Sequence, residues 1–192
     1  MWAETLYRHG YGPLQWGVVI GASLVAALMD LWVRRIPNWL TGPVLLGGLV
    51  FAGVIGRWNG LADSLAAMAL LMAPFVILFV LAGGGAGDAK LMGALGAWLG
   101  LRHGVVVLLA VCAAGVVLGV ALSVAKGRLR QMLANLLLIV YGLWANLAGR
   151  TGLNRVRQAV HQPAGMQKIP YGLAIFAGVC AGAVKVMLWP VR

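Results

Sequence analysis

Negative charge is almost absent from this chain. Only Glu4, Asp30, Asp63 and Asp88 are acidic among 192 residues, against 15 lysines and arginines. Charged residues of both signs make up 10% of the chain, where a soluble domain carries about 25%. An ordinary water-soluble globule is therefore excluded. Cysteine is scarce too. Cys112 and Cys180 stand far apart, form no CxxC and lie inside apolar runs. This excludes a disulfide framework and a cysteine-built metal site, and both read as small core residues.

What the chain has instead is apolar surface, with 62% hydrophobic residues. The runs are long and continuous rather than alternating, which selects spanning helices over the strands of a barrel. The expected fold is an all-α polytopic membrane protein, a single integral-membrane domain over residues 1–192. A net charge of +11 does not point to nucleic acid. The basic residues gather at the ends of apolar runs, as the positive-inside rule describes, and no nucleic-acid-binding motif is present.

Six runs read as transmembrane helices: 14–33, 40–56, 61–82, a short one at 88–101, 104–125 and 171–189. No basic region comes immediately before the first, which reads as a full span rather than a signal peptide. Trp16, Trp32, Trp39, Trp58, Trp98 and Trp189 fall near the ends of these runs, where an interfacial belt would place them. Residues 129–148 are also long enough to span. Yet Arg128, Gln131, Asn135, Gly142, Asn146 and Gly149 form a thin polar or small stripe, which fits a helix lying in the interface.

Charge bias arbitrates. If the turn carrying Arg34 and Arg35 is cytoplasmic and 129–148 does not span, that side also holds Lys90, Lys126, Arg128, Arg130, Arg150, Arg155, Arg157 and Lys168. If 129–148 spanned, the last four would move outside and the bias would fail. The expectation is six transmembrane helices plus one interfacial or re-entrant amphipathic helix at 129–148. In this topology Asp30 and Asp88 share one side and one depth.

An ionised aspartate at the centre of a spanning helix costs about 2.5–3.5 kcal/mol, so each acidic residue needs a reason. Glu4 lies in a polar tail. Asp63 opens a span, where a helix N-terminus favours negative charge. Asp30 could pair with Arg34 one helical turn on. Asp88 could cap the helix after the glycine run GGGAGD. A different chemistry opens if Asp30 and Asp88 meet. Two carboxylates in a poorly solvated site hold one proton between them, and such a pair can activate water and protonate a carbonyl oxygen without a metal or a covalent nucleophile. The neighbouring glycines would let an extended substrate backbone pass close. The run is neither a Walker A loop nor GxGxxG.

At these residues the chain resembles the type IV prepilin peptidases, the GxGD-type intramembrane aspartyl proteases. The likeness is carried by Asp30 followed by RRIPNWLT, by GAGDAKLMGALGAWLG from Gly85 to Gly100, by KIPYGLAIFAG from Lys168 to Gly178, and by the order of apolar runs. The resemblance implies that Asp30 and Asp88 are the catalytic pair, with Gly85 and Gly87 in the GxGD motif. It implies supporting positions at Lys90, Pro170, Tyr171 and Gly172. It further implies a multi-pass protein of a bacterial or archaeal cytoplasmic membrane, whose cytoplasm-facing site removes the short basic leader of prepilin or pseudopilin substrates, and no cofactor. Larger members carry paired CxxC motifs that bind zinc and methylate the new N-terminus. This chain has no CxxC, and its compact form is similar to the peptidases of tight-adherence (Flp) pili. Membrane lipid is a second expected partner, since the basic strip from Lys126 to Lys168 suits anionic headgroups. Two other functions remain open from the residues: a small ion- or proton-coupled transporter using the same carboxylates, and an inactive scaffold of pilus assembly.

Overall fold

The computed structural model describes residues 12–82, 85–127 and 171–188, together with single helical positions at 130, 134, 137, 141 and 144. The described residues form four helices: α1 (Pro13–Val33), α2 (Asn38–Ala82), α3 (Ala86–Ala125) and α4 (Tyr171–Leu188). All four are long and apolar enough to cross a membrane, so the all-α membrane character read from the sequence stands. Residues 129–148, expected as the interfacial helix, and Pro170 fall outside the described residues, apart from Arg130, Ala134, Leu137, Tyr141 and Trp144.

Among the described residues four continuous helices stand where six were expected, two of them kinked. The two long helices each join two helical stretches across a kink, at or close to the breaks at 57–60 and 102–103 that the sequence reading placed between runs. Each long helix has one non-helical residue: Arg57 (φ 53, ψ −142) in α2 and Gly100 (φ 64, ψ 177) in α3. At both the chain doubles back. The Trp98 indole donates to the Val44 carbonyl at 2.7 Å and the Ser64 hydroxyl to the Ala97 carbonyl at 2.6 Å. In a continuous helix Val44 and Ser64 would stand about 30 Å apart. They reach neighbouring residues because α2 reverses at Arg57. Gly96 and Gly104, on either side of Gly100, likewise both abut the stretch from Ala67 to Leu71.

Gly100 occupies a backbone region that only glycine enters readily. Gly100→Ala is therefore expected to cost about 1–3 kcal/mol, read as a lower unfolding temperature in detergent.

The core lies where the folded-back α3 meets the other helices. Leu91, Met92, Leu95 and Leu99 are fully buried, with Val19 of α1, Leu71 of α2 and Ile175 and Val179 of α4 around them. Close packing here depends on small residues, as is usual between membrane helices. Gly178 and Gly182 of α4 lie directly on Val111 and Val107 of α3, so these helices run antiparallel. Two expected belt residues belong to this interior. Trp98 is 9% exposed and stacks on Phe51, and Trp16 is 5% exposed with its ring edge-on to His103. Trp32, Trp39 and Trp58 do face outward. Cys112, read as a core residue, is exposed on α3, while Cys180 is half-buried. An apolar run does not say which of its faces turns inward.

Candidate active site

The sequence separates Asp30 and Asp88 by 58 positions, yet both sit at one end of the bundle. Asp30 lies in the last turns of α1. The helix stops at Arg34, whose left-handed backbone (φ 53) closes the turn through its N–H to the Asp30 carbonyl at 3.0 Å. Arg34 thus meets Asp30 through the backbone, where a side-chain ion pair was one expectation. The following residues Ile36 and Pro37 lead into Asn38, the first residue of α2.

Asp88 lies in the first turn of α3. It does not cap that helix: the cap position is Gly85, and the Asp88 N–H bonds to the Gly85 carbonyl at 3.2 Å. The carboxylate folds back over Gly85, where a Cβ would stand 2.6 Å from Asp88 Oδ2. At Gly87 a Cβ would stand 3.0 Å from the Ile36 Cβ. The sequence reading left these glycines open for a passing substrate. In the structure their space is taken by the Asp88 carboxylate and by the turn that follows Asp30.

The third element is the start of α4. The Gly172 N–H donates to Asp30 Oδ2 at 2.9 Å. A side chain at 172 would meet Asp30 Cβ at 2.8 Å and Ala27 Cα at 3.2 Å, so glycine is what permits the approach. An unbonded N–H in the first turn of a helix is a natural partner for a carboxylate. Asp30 and Asp88 lie close enough to interact electrostatically, and so do Asp88 and Tyr171. Both aspartates are half-buried. The arrangement brings two acidic groups, a phenol and a backbone donor together at the edge of an apolar bundle.

Lys90 bonds to a residue outside this pair. Its Nζ donates to Asn38 Oδ1 at 3.0 Å. The sequence reading assigned no role to Asn38. Its partner is 52 positions away, and local spacing carries no signal for such a contact. Among the described residues no group of three or more His, Cys, Asp or Glu side chains could hold a metal ion.

A cavity of about 410 Å³ opens at the opposite end, lined by Gln15, Phe51, Asp63, Trp98, Arg102 and His103 among others. Gln15 lies roughly 22 Å along α1 from Asp30. Several polar groups there bond the fold itself. Gln15 Nε2 donates to the Trp98 carbonyl at 3.1 Å, and the Leu101 N–H points at both Asp63 oxygens at 3.4 Å. Asp63 therefore faces a helix start, as expected of it, but the one that resumes after Gly100 rather than its own.

Fold and site together define an all-helical membrane protein with two carboxylates from distant segments gathered at one end. The sequence profile of the type IV leader peptidase family matches residues 17–120, more than half the chain, and the chain belongs to that family. It is 35% identical over 123 residues to a prepilin leader peptidase/N-methyltransferase of Aeromonas salmonicida, covering 59% of this chain and 41% of the relative. A protein of the same description from Neisseria gonorrhoeae is 31% identical over 119 residues, 58% of this chain and 42% of the relative. One from Xanthomonas campestris is 33% identical over 138 residues, 65% and 46%. The chain spans less than half the length of these curated relatives. No solved structure matches.

Proposed function

We propose that this protein is an aspartyl endopeptidase of the cytoplasmic membrane that removes the basic leader of prepilin-like substrates. What supports the reading is the placement of Asp30 and Asp88 at one end of the bundle, near enough to interact electrostatically, with Asp30 held by the Gly172 N–H. The family membership makes prepilins the natural substrate class. In this reading the doubled-back α2 and α3 each pass the membrane twice, giving six crossings. The site then faces the cytoplasm, on the side of Arg34, Arg35 and Lys90.

The chemistry follows from the pair. One carboxylate, charged, takes a proton from a water held between the two. The oxygen of that water attacks the carbonyl carbon of the scissile peptide. The other carboxyl, carrying the shared proton, gives it to the carbonyl oxygen. Collapse of the tetrahedral intermediate returns a proton to the leaving amine. The scissile bond must first leave its helix, because i to i−4 hydrogen bonds shield it. A site at the end of the bundle suits a bond just outside the substrate's apolar helix. The methyl transfer in the relatives' names is not carried over to this chain.

The deciding experiment incubates the purified protein with a candidate prepilin and sequences the new N-terminus. Appearance of the mature pilin supports the reading. Intact substrate, alongside proton or cation flux in liposomes, would reject it in favour of a transporter.

Gly172→Ala offers a second check. The methyl would press Asp30 out of its place, and overpacking of this kind costs about 1–3 kcal/mol. Loss of cleavage together with a lowered unfolding temperature is expected.

A further inference from the structure

We propose that Asn38 is a positioning residue that sets the separation of Asp30 and Asp88, acting through Lys90. The proposal rests on the reading of the two aspartates as the reacting pair. From Asp30 the chain turns at Arg34 and reaches Asn38 within eight positions. Asn38 Oδ1 accepts from Lys90 Nζ at 3.0 Å. Lys90 stands two positions after Asp88, and residues two apart on a helix do not share a face. Lys90 therefore ties the start of α3 to Asn38 from a different face than the one that carries Asp88.

The same turn is gripped a second time. Ile36 fills the space over Gly87, with the nearest approach of a would-be Cβ at 3.0 Å. The segment leaving Asp30 thus holds the Asp88 turn at two points, one apolar and one polar. On the other flank the Gly172 N–H fixes Asp30 at 2.9 Å. These contacts close a ring that runs from Asp30 through Asn38 and Lys90 to Asp88. A shift of about 1 Å between reacting groups can cost up to about 10²-fold in rate, so the ring's polar link has a kinetic consequence. The bond is exposed, and the apolar contact at Ile36 remains without it, so the fold survives its loss. The plainer role for Lys90 is surface charge that attracts lipid or substrate, which predicts a different pattern.

The test measures cleavage kinetics of the full-length purified protein in detergent with a synthetic prepilin. Asn38→Ala and Lys90→Met are each expected to lower kcat about 10-fold with KM unchanged and the unfolding temperature unmoved. The double variant is expected to lose no more than either single one, since both remove the same link. Asn38→Asp, which keeps an acceptor oxygen, is expected to restore most of the rate. Wild-type kcat in Asn38→Ala, additive losses, or an Asn38→Asp no better than Asn38→Ala would overturn the proposal. A rise of KM confined to Lys90→Met would overturn it in favour of surface charge. Asp30→Asn and Asp88→Asn are run alongside. If both are inactive while Asn38→Ala is normal, only the positioning role falls. If both cleave normally, the reading of the pair falls and this proposal with it.

Discussion

Asp88→Asn is expected to slow leader cleavage by about 10²–10⁴-fold, the usual worth of a positioned acid–base group, while leaving the protein folded. The substitution is nearly isosteric. The amide still fits over Gly85, and the backbone bond from residue 88 to the Gly85 carbonyl is untouched. What disappears is the ability to hold or pass a proton. Asp30→Asn should behave alike. Its amide oxygen can still accept from the Gly172 N–H, so the contact between α1 and α4 persists without the chemistry. The measurement is a cleavage time course with purified variants, with thermal unfolding followed in parallel. Near-normal cleavage by both variants would remove the two carboxylates from the mechanism.

Gly178→Val is expected to do the reverse, damaging the fold rather than the chemical step. Gly178 lies against the backbone of Val111, and one turn further on Gly182 leaves only 2.8 Å between a would-be Cβ and Val107 Cγ2. A flexible side chain can swing aside for an added methyl, but a helix backbone cannot. Overpacking costs about 1–3 kcal/mol, and this position belongs at the upper end. The expected result is a lower unfolding temperature in detergent and less folded protein after purification. An unfolding curve matching the wild type would mean that α3 and α4 are not pressed together as described.

Much of this molecule is legible along the chain. The expected spans begin and end within a few residues of helix ends or of the breaks at Arg57 and Gly100, because apolar length and basic residues at the turns are local properties. Asp30 and Asp88 stand out for an equally local reason: buried negative charge is costly, so four acidic residues in an apolar chain can be weighed one at a time. The form of the breaks was less legible. Whether two helical stretches are joined across one non-helical residue or parted by a longer turn depends on that residue's φ and ψ, which composition does not encode. The tryptophans divide in the same way. Six of the eight lie near run ends, yet Trp98 and Trp16 are core residues, since facing inward depends on the neighbour rather than on position along the helix.

By itself, then, the sequence determined an all-helical membrane protein, its apolar segments and two carboxylates worth singling out. These follow from the cost of placing polar groups in lipid, which acts on each residue where it stands. Only the tertiary structure decided that Gly85 and Gly87 are filled by Asp88 and Ile36, that the Gly172 N–H holds Asp30, and that Asn38 takes Lys90 as its partner. Each of these joins groups far apart along the chain, and packing between helices, not the order of residues within them, brings such groups into contact.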